Sequence, residues 1–268
     1  MSALAYTILD STTMLRRNLR RLARYPSLTL IVIGMPLVFL LLFVYVFGGQ
    51  LGHGLDGGLA GGHRGRAGYL NYVSPGILIM TVAATVQGTA IVVAMDMTGG
   101  IIDRFRAMAI ARASVLTGHV LASLIQALAS IAIVLGVAVA LGFRPNPSPV
   151  EWLATLGVLA LFTLALVWLS TALGLAAKSV ETASNTPMFL TLLPFLGSGF
   201  VPTDTMPSGL REFAKYQPLT PVTETVRGLL TGTPIGNTNG TAAIAWSLGI
   251  AAASYLWARH LYNHHAPR

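Results

Sequence analysis

Long apolar runs dominate the hydrophobic pattern of this chain. Six stretches of mainly apolar residues contain no Asp, Glu, Lys or Arg. A helix needs about 20 apolar residues to cross a bilayer, and a charge at its centre costs about 2.5–3.5 kcal/mol. The pattern therefore predicts six transmembrane helices, near residues 27–47, 72–95, 115–141, 152–177, 185–201 and 241–258.

A basic amphipathic helix is predicted before the first span. Residues 1–24 carry one apolar stripe at helical spacing, formed by Leu4, Ile8, Leu15, Leu19 and Leu22. The opposite face carries Arg16, Arg17, Arg20, Arg21 and Arg24. Such a helix is expected to lie in the membrane interface, although a plain basic flank without any further role fits the pattern equally well.

Two connecting segments also have apolar residues at helical spacing. The charged segment 96–114 predicts a short helix lying roughly parallel to the membrane, with Ile101, Phe105 and Met108 on one face. The longest connection, 202–240, is broken by Pro218 and predicts two short helices in an outer hairpin. The chain thus divides into an interfacial helix (1–26), a transmembrane domain (27–258) and a tail (259–268).

Composition agrees with an all-α membrane protein. Of 268 residues, 54% are hydrophobic and only 10% are charged, whereas soluble domains carry about 25% charged residues. So few charges cannot cover the surface of a soluble protein of this length, which leaves lipid as the environment of the apolar surface.

The distribution of charge predicts the orientation. Six spans put both termini on one side, which carries eleven basic residues against four acidic ones, while the other side carries six against five. The positive-inside rule assigns the more basic side to the cytoplasm. This bias accounts for the net charge of +8 without a nucleic-acid partner.

Enzyme and cofactor motifs are largely excluded. No cysteine is present, and the Lys178-Ser179 pair has alanines where an ATP-binding loop needs glycines, so the chain has no ATPase site of its own. His53 and His63 lie in a glycine-rich loop that cannot fix a metal site. A remote alternative is an intramembrane serine hydrolase using Ser198 and His119, which the predicted spans place most of a bilayer apart.

The uncharged spans bear on the source of energy. Proton- or sodium-coupled transporters generally use ionisable groups within their spans, and here Asp96, at the inner end of the second span, is the nearest candidate. The energy for any transport is therefore expected to come from outside this chain.

Five sequence features together resemble a known family. They are the basic entry helix ending in RYPS, the Met35-Pro36 span, the segment GGIIDRFRAMAIARASVLTGHVLA, the segment LGSGFVPTDTMPSGLREFAKYQPLTPVTETVRGLLTG and the basic tail. The chain resembles a membrane subunit of the type-2 ABC exporters, close to the daunorubicin-resistance permeases of high-GC bacteria. It departs from the family pattern at Ala109, where proline is common, and at His119, where arginine is common.

The resemblance implies a multisubunit transporter in a bacterial inner membrane. A cytoplasmic ABC ATPase, present in two copies, would bind ATP and Mg²⁺, and a second permease, in the simplest case another copy of this chain, would complete the assembly. The ATPase would contact the interfacial helix and a coupling helix through Arg104, Phe105, Arg106, Met108 and Ile110.

The resemblance also implies a substrate path between spans one, two and five. Its candidate lining residues are Met35, Phe39, Thr81, Thr85, Phe189 and Phe195. The expected cargo is a hydrophobic or amphipathic drug, antibiotic or lipid, and the alternative is a lipid-linked glycan or polysaccharide.

Overall fold

The computed structural model describes residues 3–24, 26–53, 65–99 and 112–264, and the regular structure within them is entirely helical. The α-helices are α1 (Ala3–Arg24), α2 (Pro26–Leu41), α3 (Gly48–His53), α4 (Gly65–Thr98), α5 (Arg112–Ala140), α6 (Pro149–Ala176), α7 (Val180–Asn185), α8 (Met188–Leu192), α9 (Ser208–Tyr216), α10 (Leu219–Thr231) and α11 (Asn239–His264). A π-helical turn, Leu42–Phe47, joins α2 to α3, and 3-10 turns cover Leu193–Leu196 and Thr203–Thr205.

Five helical stretches of the described chain are long and apolar enough to cross a bilayer. They are Val32–His53, Gly65–Thr98, Leu116–Ala140, Pro149–Ala176 and Asn239–Tyr262. These stretches correspond to five of the six predicted spans, so the prediction of an all-helical protein with several membrane spans is confirmed. The first stretch passes through the π-helical turn and is therefore not a regular α-helix throughout.

The fifth predicted span, residues 185–201, is not a continuous helix. It is divided between α8, the 3-10 turn Leu193–Leu196 and the turns that follow it. Pro187 precedes α8 and Pro194 lies in the 3-10 turn, and because proline lacks an N–H, neither can continue a ladder of α-helical hydrogen bonds. The segment thus has the apolar composition of a span but not a regular helical backbone.

The long helix α4 forms the centre of the molecule. It packs against α2, α3, α5, α6, α7, α8 and α10, and most of its side chains are buried. Its buried hydroxyls donate hydrogen bonds of 2.7–3.0 Å to the carbonyl four residues earlier, as at Ser74, Thr81, Thr85 and Thr89. This internal pairing lets polar residues be buried without leaving a donor unsatisfied.

Close contact between backbones holds residues 185–201, which we call the interrupted segment, against α4. A Cβ atom added to Gly76 would lie 2.2 Å from the carbonyl oxygen of Gly199. Only hydrogen fits in that space, so glycine at this position allows the turn after Leu196 to lie directly on α4.

The prediction of two short helices between residues 202 and 240 is confirmed. They are α9 and α10, separated at Gln217-Pro218. One face of α10 carries Val222, Val226 and Leu230, and these side chains are fully buried in the central core. The helix ends at Gly232, whose φ of 70° lies in the left-handed region that favours glycine.

The N-terminal helix α1 packs along α5. A Cβ atom on Gly118 of α5 would lie 2.5 Å from Cβ of Met14, so this glycine permits close approach of the two helices. The side chains of Met14 and Asn18 are buried by the contact. The amphipathic helix predicted for the N-terminal segment is thus present, with one face packed on the protein.

Because Gly76 contacts Gly199 and Gly136 contacts nothing, replacing each of these helical glycines by alanine is expected to change the free energy of unfolding in different ways. Gly76→Ala is expected to lower the free energy of unfolding by about 1–3 kcal/mol, because the backbones must separate. Gly136→Ala on α5 is expected to leave it unchanged or raise it by about 0.5–1 kcal/mol, since nothing lies within 4 Å of the added methyl group. Thermal unfolding of both purified variants in detergent measures the difference, and equal melting temperatures would contradict the close contact.

Candidate functional site

A buried carboxylate lies near the C-terminal end of α4. The Asp96 side chain is only 2% exposed and its oxygens accept hydrogen bonds from three side chains. Nη2 of Arg17 lies 2.7 Å from Oδ2, Nη1 of Arg21 lies 2.8 Å from Oδ1, and Nε2 of His119 lies 3.2 Å from Oδ2. We call these four residues the Asp96 cluster; they join α1, α4 and α5.

Helical spacing explains how α1 supplies two of these partners. Arg17 and Arg21 are four residues apart and therefore project from the same face of α1. The close contact of Met14 with Gly118 brings that face against α5, next to His119. The two guanidinium groups remain partly exposed while the carboxylate between them is buried.

The structure divides the five predicted interfacial arginines into two groups. Arg17 and Arg21 turn towards Asp96, whereas Arg16, Arg20 and Arg24 are exposed. The face of α1 opposite the apolar stripe, which was predicted to carry all five arginines, therefore contributes two of them to interhelical ion pairs with Asp96.

The Asp96 cluster brackets the segment predicted to form the coupling helix. Asp96 lies just before residues 100–111 and His119 lies shortly after them, and their 3.2 Å contact joins the helices at which the segment begins and ends. The predicted contact residues Arg104, Phe105, Arg106, Met108 and Ile110 lie outside the residues that the structure describes.

A buried arginine from another helix contacts the N-terminal part of α4, far from Asp96. Arg227 of α10 is 2% exposed, and its Nε and Nη2 donate to the carbonyl oxygens of Tyr72 and Ser198 at 3.2 and 2.6 Å. Its guanidinium stacks 3.9 Å from the centre of the Tyr72 ring and its Nη1 donates to Glu224. The Tyr72 hydroxyl in turn donates a hydrogen bond to the carbonyl oxygen of Ser198 at 2.9 Å. Three chain segments are thus tied together around one guanidinium.

An aromatic cluster lies where the first span meets α4 and the interrupted segment. Phe39 and Phe43 of the first span contact the rings of Phe195 and Phe200, with centroid distances of 5.3 Å for Phe39–Phe195 and 4.6 Å for Phe43–Phe200. Tyr69 completes the cluster and donates its hydroxyl to the carbonyl of Phe200 at 3.1 Å. The first span, α4 and the interrupted segment therefore meet at an aromatic surface.

The six predicted path residues lie in three different settings. Phe39 and Phe195 contact each other in the aromatic cluster, and Met35 and Phe189 are each about half exposed on the outer surface of the chain. Thr81 and Thr85 are buried, with their hydroxyls donating to backbone carbonyls of α4.

The serine hydrolase alternative lacks its required geometry. Ser198 lies at the Gly76 end of α4, whereas His119 pairs with Asp96, twenty residues further along that helix. At 1.5 Å per residue this separation is about 30 Å, far beyond the roughly 3 Å needed between a nucleophile and its base.

Charge removal at Asp96 is expected to weaken the packing of α1 on α4 and α5. Asp96→Asn should lower the free energy of unfolding by about 1–3 kcal/mol, because Arg17 and Arg21 lose the negative charge of their acceptor and one of its two oxygens becomes an amide donor. Asp204→Asn is the matched control, since Asp204 is 83% exposed and lies 3.4 Å from Lys215. Thermal unfolding in detergent should show a lower melting temperature for Asp96→Asn alone, and a wild-type value for that variant would contradict the stabilising role.

Comparison with known proteins identifies the family. The family model described as ABC-2 type transporter matches residues 11–231. A daunorubicin resistance ABC transporter permease protein of Streptomyces coeruleorubidus is 26% identical over 232 residues, which cover 86% of this chain and 78% of the relative. A probable doxorubicin resistance ABC transporter permease protein of Mycobacterium tuberculosis is 25% identical over 176 residues, covering 64% of this chain and 63% of the relative.

These matches confirm the resemblance seen in the sequence. Permeases of this family are membrane subunits of transporters, and the ATPase activity lies in a separate subunit. The match includes α1 from residue 11 onwards, the whole of α4 with the cluster at its end, and the α9–α10 pair. The chain therefore belongs to the ABC-2 type transporter family.

Proposed function

We propose that this chain is the membrane subunit of an ATP-driven exporter that moves a hydrophobic or amphipathic substrate, such as a drug, antibiotic or lipid, out of a bacterial cell. The family match over residues 11–231 carries the proposal, and the names of the two relatives support drugs as cargo. ATP and Mg²⁺ would bind to the separate ATPase subunit.

The proposed arrangement in the membrane has six crossings with both termini in the cytoplasm. Five would be the apolar helices and the remaining one would be the interrupted segment around α8, completed by the α9–α10 pair. Irregular backbone is tolerated at membrane depth where protein covers it, and here Gly199 lies on α4 while Arg227 binds the carbonyl of Ser198. The excess of basic residues on the side of α1 supports the orientation.

The proposed coupling to the ATPase runs through residues 100–111. The contact of Asp96 with His119 joins the two helices that flank this segment, and the contact with Arg17 adds α1. A displacement of the segment would therefore move α1, α4 and α5 together. Phe105, flanked by Arg104 and Arg106, has the chemistry of an apolar docking residue with a basic rim. In the assembly we propose, two copies of the ATPase would bind two copies of this chain, closing on ATP and moving these segments.

The proposed substrate path follows the aromatic cluster. Phe39, Phe43 and Phe195 are partly exposed, and the rings of Phe43 and Phe195 stack on the buried ring of Phe200. The three partly exposed rings would give a flat hydrophobic solute an aromatic surface shared by the first span and the interrupted segment. Met35 and Phe189, exposed nearby on the same two segments, would face the second permease subunit across the path.

Transport in reconstituted vesicles tests the proposed function. The chain is purified together with an ABC ATPase from the same cell that copurifies with it and reconstituted into liposomes, and ATP-dependent movement of daunorubicin is followed by its fluorescence. ATP-dependent movement is expected, and it should be absent without the ATPase. Movement of fluorescent phospholipid but not of daunorubicin would assign lipid as cargo, and movement of neither would contradict the proposal.

Removal of the proposed docking residue is expected to uncouple transport. Phe105→Ala should reduce ATP-driven transport by about tenfold or more, since loss of an interface hot spot typically costs 2 kcal/mol or more. Arg104→Glu should act in the same direction by reversing charge at the docking surface. Insertion and assembly of the permease should be unchanged, as measured by size-exclusion chromatography.

The matched control for Phe105→Ala is Phe213→Ala. Phe213 is a half-exposed phenylalanine on α9, a helix that is followed by Gln217, which contacts the interrupted segment at Gly197. Its variant should transport at the wild-type rate. Wild-type transport by Phe105→Ala, or an equal loss in both variants, would count against the coupling role.

A further inference from the structure

The first span and the interrupted segment contact each other through aromatic rings. Phe43 stacks on Phe200 with 4.6 Å between the ring centroids, and Phe39 lies 5.3 Å from Phe195. The described side-chain hydrogen bonds of the two elements run to other helices and not between them. When such rings separate, no polar group loses a partner, and lipid or a hydrophobic solute can replace the lost contact.

Hydrogen bonds hold the interrupted segment on its other side. The carbonyl oxygen of Ser198 accepts from the Tyr72 hydroxyl of α4 at 2.9 Å and from Nη2 of Arg227 of α10 at 2.6 Å. The Gln217 side chain, between α9 and α10, donates to the carbonyl oxygen of Leu193 at 3.1 Å. Lifting the segment would leave the buried guanidinium short of an acceptor, and lipid offers none.

The first span has two breaks in its regular hydrogen bonding. Pro36, within α2, has no N–H to donate, and the π-helical turn Leu42–Phe47 closes wider hydrogen-bonded rings than an α-helix does. Helices bend at such points. We call residues 37–47 the ring stretch, because they carry Phe39 and Phe43. The ring stretch can therefore change direction while the helical structure on either side is kept.

The first span is held on both sides of the ring stretch. Before it, Nε2 of Gln126 on α5 donates to the hydroxyl oxygen of Thr29 at 3.2 Å. After it, a Cβ atom on Gly52 of α3 would lie 2.1 Å from the carbonyl oxygen of Gly65, so the backbones of α3 and α4 are in direct contact. A movement that keeps these contacts is confined to the ring stretch.

The ring stretch has room to move outwards. Its outer side carries Val38 and Val46, which are exposed, and Val44 faces the core through apolar contacts like those of the rings. The Tyr45 ring lies 5.0 Å from the guanidinium of Arg66. Arg66 is itself exposed at the start of α4, so breaking this contact buries no charge.

We propose that the ring stretch is the moving part at this end of the molecule. It separates from the interrupted segment at the contacts of Phe43 with Phe200 and of Phe39 with Phe195, while the interrupted segment stays bound to α4 and α10. Arg227 is then a positioning residue, because it keeps the interrupted segment in place when the rings part. One consequence rests on the proposed function: in the exporter, this separation opens the exit for the substrate.

Hydrogen–deuterium exchange of the purified full-length chain in lipid nanodiscs tests which element opens. If irregular backbone alone determined the rates, the interrupted segment would exchange faster than the first span. The proposal requires the opposite order, with residues 42–47 exchanging about tenfold faster or more than residues 193–200. Equal rates, or faster exchange of residues 193–200, would overturn it.

Removal of one hydrogen bond to the interrupted segment tests what holds it. Tyr72→Phe removes a donor to Ser198 but keeps the ring beneath Arg227, and it should raise the exchange rate of residues 193–200 by about fivefold. The matched control is Tyr255→Phe, which removes an exposed hydroxyl from α11 and should change neither rate. Unchanged exchange of residues 193–200 in Tyr72→Phe would contradict the proposal.

Reversible bridging in the reconstituted transporter tests the exit itself. The chain contains no cysteine, so pairs can be introduced without background. Phe43→Cys with Phe200→Cys is bridged by a short bis-methanethiosulfonate reagent. ATP-driven transport of daunorubicin should fall about tenfold or more relative to the same protein unbridged, and should return on reduction, because the ring stretch can no longer leave the interrupted segment.

A second pair bridges the contact that is proposed to persist. The backbone nitrogen of Ser198 lies 3.3 Å from Oγ1 of Thr220 on α10. With Ser198→Cys and Thr220→Cys bridged by the same reagent, transport should stay within about twofold of the unbridged form. Loss of transport in this pair, or unchanged transport when the Phe43–Phe200 pair is bridged, would overturn the inference and leave the proposed function standing. If the wild type does not transport, the proposed function fails, and the order of hydrogen exchange still decides whether the ring stretch moves.

Discussion

The burial of α4 is the constraint on which the rest of the structure depends. At the depth of a bilayer no water is present to satisfy backbone or side-chain polar groups, so each must find its partner within the protein. The hydroxyls of Thr81 and Thr85 do so within the helix itself. The interrupted segment does so through other elements: Arg227 supplies donors to the carbonyl of Ser198, and Tyr69 supplies one to Phe200. An irregular stretch can lie on α4 because these side chains complete its hydrogen bonds.

The spans could be predicted from the sequence because they follow from composition and length alone. Apolar content, however, does not distinguish a continuous helix from a broken one. Residues 185–201 satisfy the composition of a span, while Pro187 and Pro194 remove the hydrogen bonds that would keep it regular. The prolines were visible in the sequence. What was not visible was that Gly76 and Gly199 would meet, because that contact depends on how two distant segments pack.

For the charged sites too, the sequence identifies single residues, whereas their partners depend on how distant helices pack. Asp96 stood out in the sequence as a carboxylate at the end of a span, but its partners depend on the packing of α1 against Gly118. Arg227 lies within the predicted hairpin of residues 202–240, and nothing in that pattern indicates that it is buried in α10 over the Tyr72 ring. A local signal existed in Glu224, three residues earlier on the same helix and in contact with it. Phe39 and Phe195, both among the path residues that the resemblance implies, contact each other.

The Asp96 cluster also determines which parts of the molecule can move independently. One carboxylate binds Arg17 and Arg21 of α1 and His119 of α5 while being part of α4. As long as these contacts persist, displacement of the end of α4 carries the neighbouring ends of α1 and α5 with it. The three helix ends are therefore expected to move as one rigid unit. For one helix end to slide past another, its contact with Asp96 must break. The rigidity of that end of the molecule therefore depends on one acidic side chain in addition to the close packing of α1 on Gly118.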